Sequence, residues 1–178
     1  ARAADAAGIH FRILNKKKGP AVWATRSQAD RALYKSFVQK QIKGQQKLDV
    51  IEGEVTDIII KNNSIEGVEL GDGAKINAKN VILTTGTFLS GMIHIGNESF
   101  SAGRIGEQAS NKLAQKMKDL DLMMGRLKTG TPPRLNGDTI NYQDLIEQPG
   151  DSIRPVFSFI GNPSQHPGQV KCHIARTN

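Results

Sequence analysis

Three stretches carry side chains of the kind that hold ligands. The first is Val81-Ile82-Leu83-Thr84-Thr85-Gly86-Thr87-Phe88-Leu89, an apolar run that breaks into small residues. Its β-branched composition predicts a buried strand. Ligands of α/β sheets bind beyond the carboxyl ends of strands. There Thr85, Gly86 and Thr87 offer backbone N–H groups and hydroxyls with no bulk in the way. An ordinary strand followed by a turn is the competing reading. The second stretch, Arg126-Leu127-Lys128-Thr129-Gly130-Thr131-Pro132-Pro133-Arg134, combines three cations with two Thr hydroxyls and a stiff Pro pair. It suits a grip on phosphates, a rigid interdomain crossover, or both. It is no Walker A loop, because Thr131 stands where that motif needs Lys. The third is the run Lys16-Lys17-Lys18 near Arg12, Arg26 and Arg31, either a phosphate-facing patch or a solvated charge run.

Other reactive groups argue for less. Cys172 is the only cysteine, so no internal disulfide is possible; it is a candidate nucleophile or inert packing. His94 alternates with Ile93 and Ile95 and reads as a structural histidine on the opposite strand face. His166 and His173 lack the spacing and carboxylate company of a zinc site, and no metal site is expected. The loop Ser101–Ser110 is Gly-rich and carries Arg104, suited to an anion. Ser110 then opens a helix to Leu120 with a Leu113, Met117, Leu120 stripe, and a helix start offers free N–H groups. No carboxylate or Cys–His pair stands out as catalytic.

The elements that must position these groups follow from patterning. Ala1–Ala7 reads as a helix end stopped at Gly8. Residues 9–25 read as a loop with a Gly19-Pro20 turn and Trp23 as a buried anchor. A helix follows, capped by Thr25 or Ser27, with Ala29, Ala32, Leu33, Phe37 and Ile42 facing a sheet and Gly44 ending it. A strand over Val50–Val55 precedes a three-stranded meander at Asp57–Ile60, Ser64–Leu70 and Lys75–Ala78. Asn62-Asn63 and Gly71-Asp72-Gly73 are its hairpin turns. From Leu135 the texture is that of an antiparallel β module, with strands expected at Val156–Phe159 and Val170–Ala175.

The chain has 178 residues, 38% hydrophobic and 23% charged, a globular composition. Its net charge of +7 favours a polyanionic partner. No apolar run approaches the roughly 20 residues that span a bilayer, so no membrane association is expected. The absence of an apolar leader and the single cysteine point to a cytoplasmic location. Without an initiator Met, and opening inside an element, the sequence reads as a piece of something longer.

Taken together, the motifs resemble one family. Lys18-Gly19-Pro20-Ala21-Val22, residues 24–31 (Ala-Thr-Arg-Ser-Gln-Ala-Asp-Arg), residues 86–91 (Gly-Thr-Phe-Leu-Ser-Gly), Ile93-His94-Ile95-Gly96, residues 125–134, Pro155–Phe159 and Ser164–Pro167 are similar in order and type to the GidA/MnmG family. The resemblance covers essentially the whole chain. It implies an internal fragment of a tRNA uridine-5-carboxymethylaminomethyl modification enzyme. The implied fold is α/β: a partial Rossmann-like FAD/NAD(P)-binding domain with a β-meander over residues 1–130, then the start of an inserted antiparallel β domain over 131–178. The implied chemistry needs FAD, NADH bound outside this segment, and methylenetetrahydrofolate as one-carbon donor. The implied partners are tRNA, an MnmE-type tRNA-modification GTPase and a second copy in a homodimer. By similarity, Val55 contacts the FAD adenine through its backbone and Ser110 is a further FAD contact. Thr85, Gly86 and Thr87 line the cofactor by position at the strand end. No Gly-x-Gly-x-x-Gly occurs, so the pyrophosphate loop is expected upstream of Ala1. Trp23 and Ala102 stand where the family has Arg and Gly; Ala102 is tolerable unless its φ must be positive. A folate- and FAD-dependent tRNA uracil-5-methyltransferase relative and a non-catalytic RNA-binding module are the alternatives.

Overall fold

The computed structural model describes residues 1–176. In chain order the elements begin with α1 (Arg2–Ala7), β1 (Gly8–Leu14), β2 (Ala24–Ala29) and α2 (Arg31–Lys43). Next come β3 (Val55–Lys61), β4 (Ser64–Leu70), β5 (Lys75–Asn77), β6 (Met92–Ile95) and β7 (Glu98–Ser101). The last are α3 (Asn111–Asp119), β8 (Ile146–Gln148) and β9 (Cys172–Ile174). The strands form four antiparallel sheets, β1-β2, β3-β4-β5, β6-β7 and β8-β9. The chain divides into two compact units, Ala1–Asp49 with Pro132–Asn178, and Val50–Thr131.

The first unit is built on the β1-β2 hairpin, which runs in register from His10↔Gln28 to Leu14↔Ala24. Residues 9–14 and 24–25 are therefore strand, joined by turns over 15–23, and not one continuous loop as expected. The Lys triplet and Gly-Pro disguised a strand that buries the adjacent residues His10 and Phe11, one on each face. Two short 3-10 turns, Lys16–Lys18 and Pro20–Val22, meet at Gly19, whose φ of 96° is open to glycine without strain. Trp23 is half exposed, not buried; its indole N–H donates to the Lys16 carbonyl at 3.2 Å and closes the turn. Phe11 has no exposed surface, and the His166 ring stacks on it at 4.1 Å. Beside them the buried Asp5 carboxylate accepts the N–H groups of Phe157 and Ser158 at 2.8 and 2.9 Å. Those N–H groups are thereby lost to any ladder, which is why Val156–Phe159 is not a strand. The other expected strand is present as β9, pairing with β8.

The N-cap of helix α2 lies five residues beyond the earlier of its two expected caps. Thr25 and Ser27 lie in β2, and Asp30 is the N-cap, its carboxylate accepting Leu33 N–H at 2.8 Å. Gly44 ends it as expected, but none of its residues is buried, so the stripe expected to face a sheet stays half exposed.

The second unit holds the meander. Its first turn is Asn62-Asn63, both at positive φ, joining Lys61↔Ser64 as a two-residue hairpin. Ordered pairing begins at Val55, so Val50–Glu54 adds no strand beyond one tie, Gly71 N–H to the Glu54 carbonyl at 2.8 Å. Helix α3 packs on β3, fastened by Lys116 Nζ to Asp57 Oδ1 at 3.0 Å. Leu113 and Ala114 are its buried residues. The run Val81–Thr85 forms no strand, and Ile82 is 87% exposed. A strand exists only through a hydrogen-bonded neighbour, and among the described residues this run pairs with none.

Candidate functional site

The turn that follows this run is held by its own backbone. Phe88 N–H reaches the Thr85 carbonyl at 3.3 Å, and Gly86 sits at φ 60°. A left-handed residue at this point favours glycine, and no atom lies within 4 Å of where its Cβ would stand. Thr87 Oγ1 donates to the Gly103 carbonyl at 3.0 Å. The Phe88 ring lies so close over Gly103 that any Cβ there would enter the ring. Gly91 is equally constrained: a Cβ would stand 2.6 Å from the Thr87 carbonyl oxygen.

This knot also sets the start of α3. Ser110 N–H donates to the Phe88 carbonyl at 2.9 Å, and Ser90 N–H reaches the Ser110 carbonyl at 3.4 Å. Together they make a parallel bridge between Leu89 and Ser110. Thr85, Gly86, Thr87 and Ser110 therefore belong to one hydrogen-bonded assembly. Ser110 is the N-cap residue of α3, yet its side chain makes no cap bond. Its hydroxyl remains available at a helix end whose positive pole favours electron-rich ligands. Lys116 and Lys118 sit at the far end, where cations complement the dipole.

Val55 opens β3 opposite Leu70, next to an irregularity at Thr56. The sheet carrying it is the one α3 packs on, but no hydrogen bond among the described residues ties Val55 to Ser110 or to the turn. The structure thus brings four of the five anticipated residues together and sets Val55 on the supporting sheet.

Several anticipated contacts are otherwise engaged. Arg104 pairs with Glu107 inside its own loop. Arg126 directs both terminal nitrogens at the Ser90 carbonyl at 3.3 Å, bracing the knot. The rest of the 126–134 string is irregular and exposed, as a crossover would be. Lys16 bonds Asp151 at 3.0 Å. Burial pushes that carboxyl up, but Ile13 N–H, Lys16 and Arg12 outweigh it and hold it below the ordinary carboxylate value. Cys172 donates its thiol to Gln28 Oε1 at 3.0 Å. His94 is satisfied by Ser99 Oγ at 2.7 Å. Ala102 is buried and is not among the positive-φ residues, so its side chain is accommodated without strain.

Sequence reasoning missed Phe88 and Gly103, which fix the turn, and Ser90, which Arg126 braces. The signal for Gly103 was present: a glycine amid small residues marks a close approach, but not what approaches it. Among the described residues no cluster of three or more His, Cys, Asp or Glu side chains could hold a metal, and no helix is long and apolar enough to cross a membrane.

The family model described as Glucose inhibited division protein A matches residues 1–178. Two crystal forms of Aquifex aeolicus GidA match with a TM-score of 0.87 at 40% identity. Each match covers 97% of this chain and 30% of that chain, so this chain spans less than a third of that relative.

Proposed function

Since the chain belongs to the Glucose inhibited division protein A family, we propose that it is FAD-binding core of a tRNA-modifying flavoenzyme. Its fold is the expected mixed α/β arrangement with a meander, close to that of Aquifex GidA. The observation that carries the functional reading is the single assembly of Thr85, Gly86, Thr87 and Ser110, with an uncommitted hydroxyl at the start of α3. Its small polar residues and open glycine fit an extended, hydrogen-bonding cofactor. FAD supplies the redox step when bound. Ser110 and the turn bind and orient it, while Val55 contacts it from the meander.

In the complete enzyme the reaction adds a (carboxymethyl)aminomethyl group to C5 of the wobble uridine of tRNA. NADH and methylenetetrahydrofolate are the co-substrates, an MnmE-type GTPase and a second copy are the protein partners, and the setting is the cytoplasm. Residues 1–130 belong to the FAD-binding domain and 131–178 begin an inserted β-rich domain. The test is to purify the full-length protein, measure bound flavin, and assay tRNA modification with the GTPase, NADH and methylenetetrahydrofolate. Flavin-dependent formation of the aminomethylated wobble uridine supports the reading. A full-length protein that neither retains nor takes up flavin overturns it, and C5-methyluridine as product would assign the related methyltransferase chemistry instead.

A further inference from the structure

A shallow depression of about 630 Å³ in the first unit is lined by Ile9, Asp30, Arg31, Tyr34, Lys35 and Arg134, among others. Its charge is not explained by the fold. Arg31 and Lys35 are one turn apart on α2, where like charges repel. Both lie in the first two turns, near the helix end whose dipole disfavours cations, and the first turn holds no acidic side chain within the helix. Arg134, about a hundred residues away in sequence, adds a third cation. None of the three is in an ion pair among the described residues. The one carboxylate lining the depression, Asp30, caps α2 through Leu33 N–H and offsets one of the three charges, which leaves a cationic excess. Tyr34 lies among the cations and is 45% exposed.

Three cations held together at a cost to the helix, around an accessible aromatic ring, are the elements of a single-stranded nucleic acid site. Such sites join phosphate-tracking charge to a ring on which a base stacks. We propose that this depression binds a single-stranded segment of RNA, with Arg31, Lys35 and Arg134 on successive phosphates and Tyr34 under one base. The proposal deepens the proposed function and rests on it, since it says where the tRNA substrate is gripped. It also gives a role to the end of the 126–134 string, which the flavin assembly does not use.

The test is fluorescence-anisotropy titration of labelled tRNA and of a short single-stranded RNA against the full-length protein at several salt concentrations. Each lost phosphate contact lowers the salt slope by about 0.7 for a single strand, so the triple change Arg31→Gln, Lys35→Gln, Arg134→Gln lowers it by roughly 2. Tyr34→Ala weakens binding by roughly 5- to 150-fold, the equivalent of a stacked base, and Tyr34→Phe restores it. Single changes at Arg134 and Tyr34, both exposed, serve where the triple variant fails to fold, with bound flavin and melting temperature as controls. Wild-type affinity and slope in folded variants overturn the proposal while leaving the flavoenzyme reading intact. A wild-type protein that binds no tRNA removes both. A mononucleotide that binds as tightly as the oligonucleotide overturns the RNA assignment in favour of a free nucleotide.

Discussion

Replacing Ser110 by Ala separates a cofactor contact from a structural cap. An N-cap Ser normally accepts a helix N–H, and its loss costs about 0.5–2 kcal/mol of stability. Here the Ser110 side chain makes no such bond, and what positions the residue is its backbone, bonded to Phe88 and Ser90. Alanine keeps both backbone bonds. The apo protein should therefore lose no more than about 0.5 kcal/mol, the ordinary range of an inconspicuous surface change. Binding of FAD should weaken by one hydrogen bond. For a neutral part of the cofactor that is about 0.5–1.5 kcal/mol, or roughly 2- to 13-fold in Kd. For a phosphate oxygen it is about 1.5–3 kcal/mol, or roughly 13- to 160-fold. The measurements are FAD titration of the full-length apoprotein by flavin fluorescence and urea unfolding without FAD. The size of the affinity loss then says which part of the cofactor Ser110 touches. An FAD affinity unchanged within twofold, or an apo stability loss as large as that of a missing cap, refutes the reasoning.

Three further outcomes follow from the packing. Gly103→Ala should destabilise the protein by about 1–3 kcal/mol, because the added methyl displaces the Phe88 ring. It should also weaken FAD through the turn, so both unfolding and flavin titration should move, unlike Ser110→Ala. Asp5→Ala removes the acceptor of the part-buried N–H groups of Phe157 and Ser158. At about 0.5–1.5 kcal/mol for each hydrogen bond, the loss is about 1–3 kcal/mol in urea unfolding, with Asp5→Asn in between because it keeps one acceptor oxygen. The third outcome concerns pH. Burial holds the His166 pKa below its ordinary 6.5, with Asp5 opposing and Arg154 assisting. The unfolded chain then binds the proton first as pH falls. The contribution of His166 to stability is whole above about pH 6.5 and is lost as pH drops through the folded-state value. His166→Phe, which keeps a ring against Phe11, should flatten the fall in melting temperature between pH 7 and pH 5.

Local chemistry determined the first meander turn and the end of α2. Asn62-Asn63 made the first meander turn, because adjacent residues tolerant of positive φ suit a two-residue hairpin. Gly44 stopped α2, and Ser110 stands at the N-cap of α3, where Leu113 of the predicted stripe is buried. The turn Thr85-Gly86-Thr87 was legible for the same reason, since Gly86 needs its left-handed φ whatever surrounds it. Features that depend on distant partners were not legible. Residues 9–25 became a hairpin because β2 was there to pair with β1, and the charges of Lys16–Lys18 concealed that. Val156–Phe159 lost its strand to Asp5, a carboxylate about 150 residues earlier. The apolar run Val81–Leu83 reads as a strand by composition, yet pairing is a property of two segments, not one. In the site, the residue types were visible in sequence, but only the tertiary structure showed that Phe88 and Gly103 lock the turn to Ser110. It also showed that Arg126 directs both terminal nitrogens at the Ser90 carbonyl, and that Arg31, Lys35 and Arg134 share one depression. Spacing along a chain reports torsional preference, whereas convergence of side chains requires the folded path.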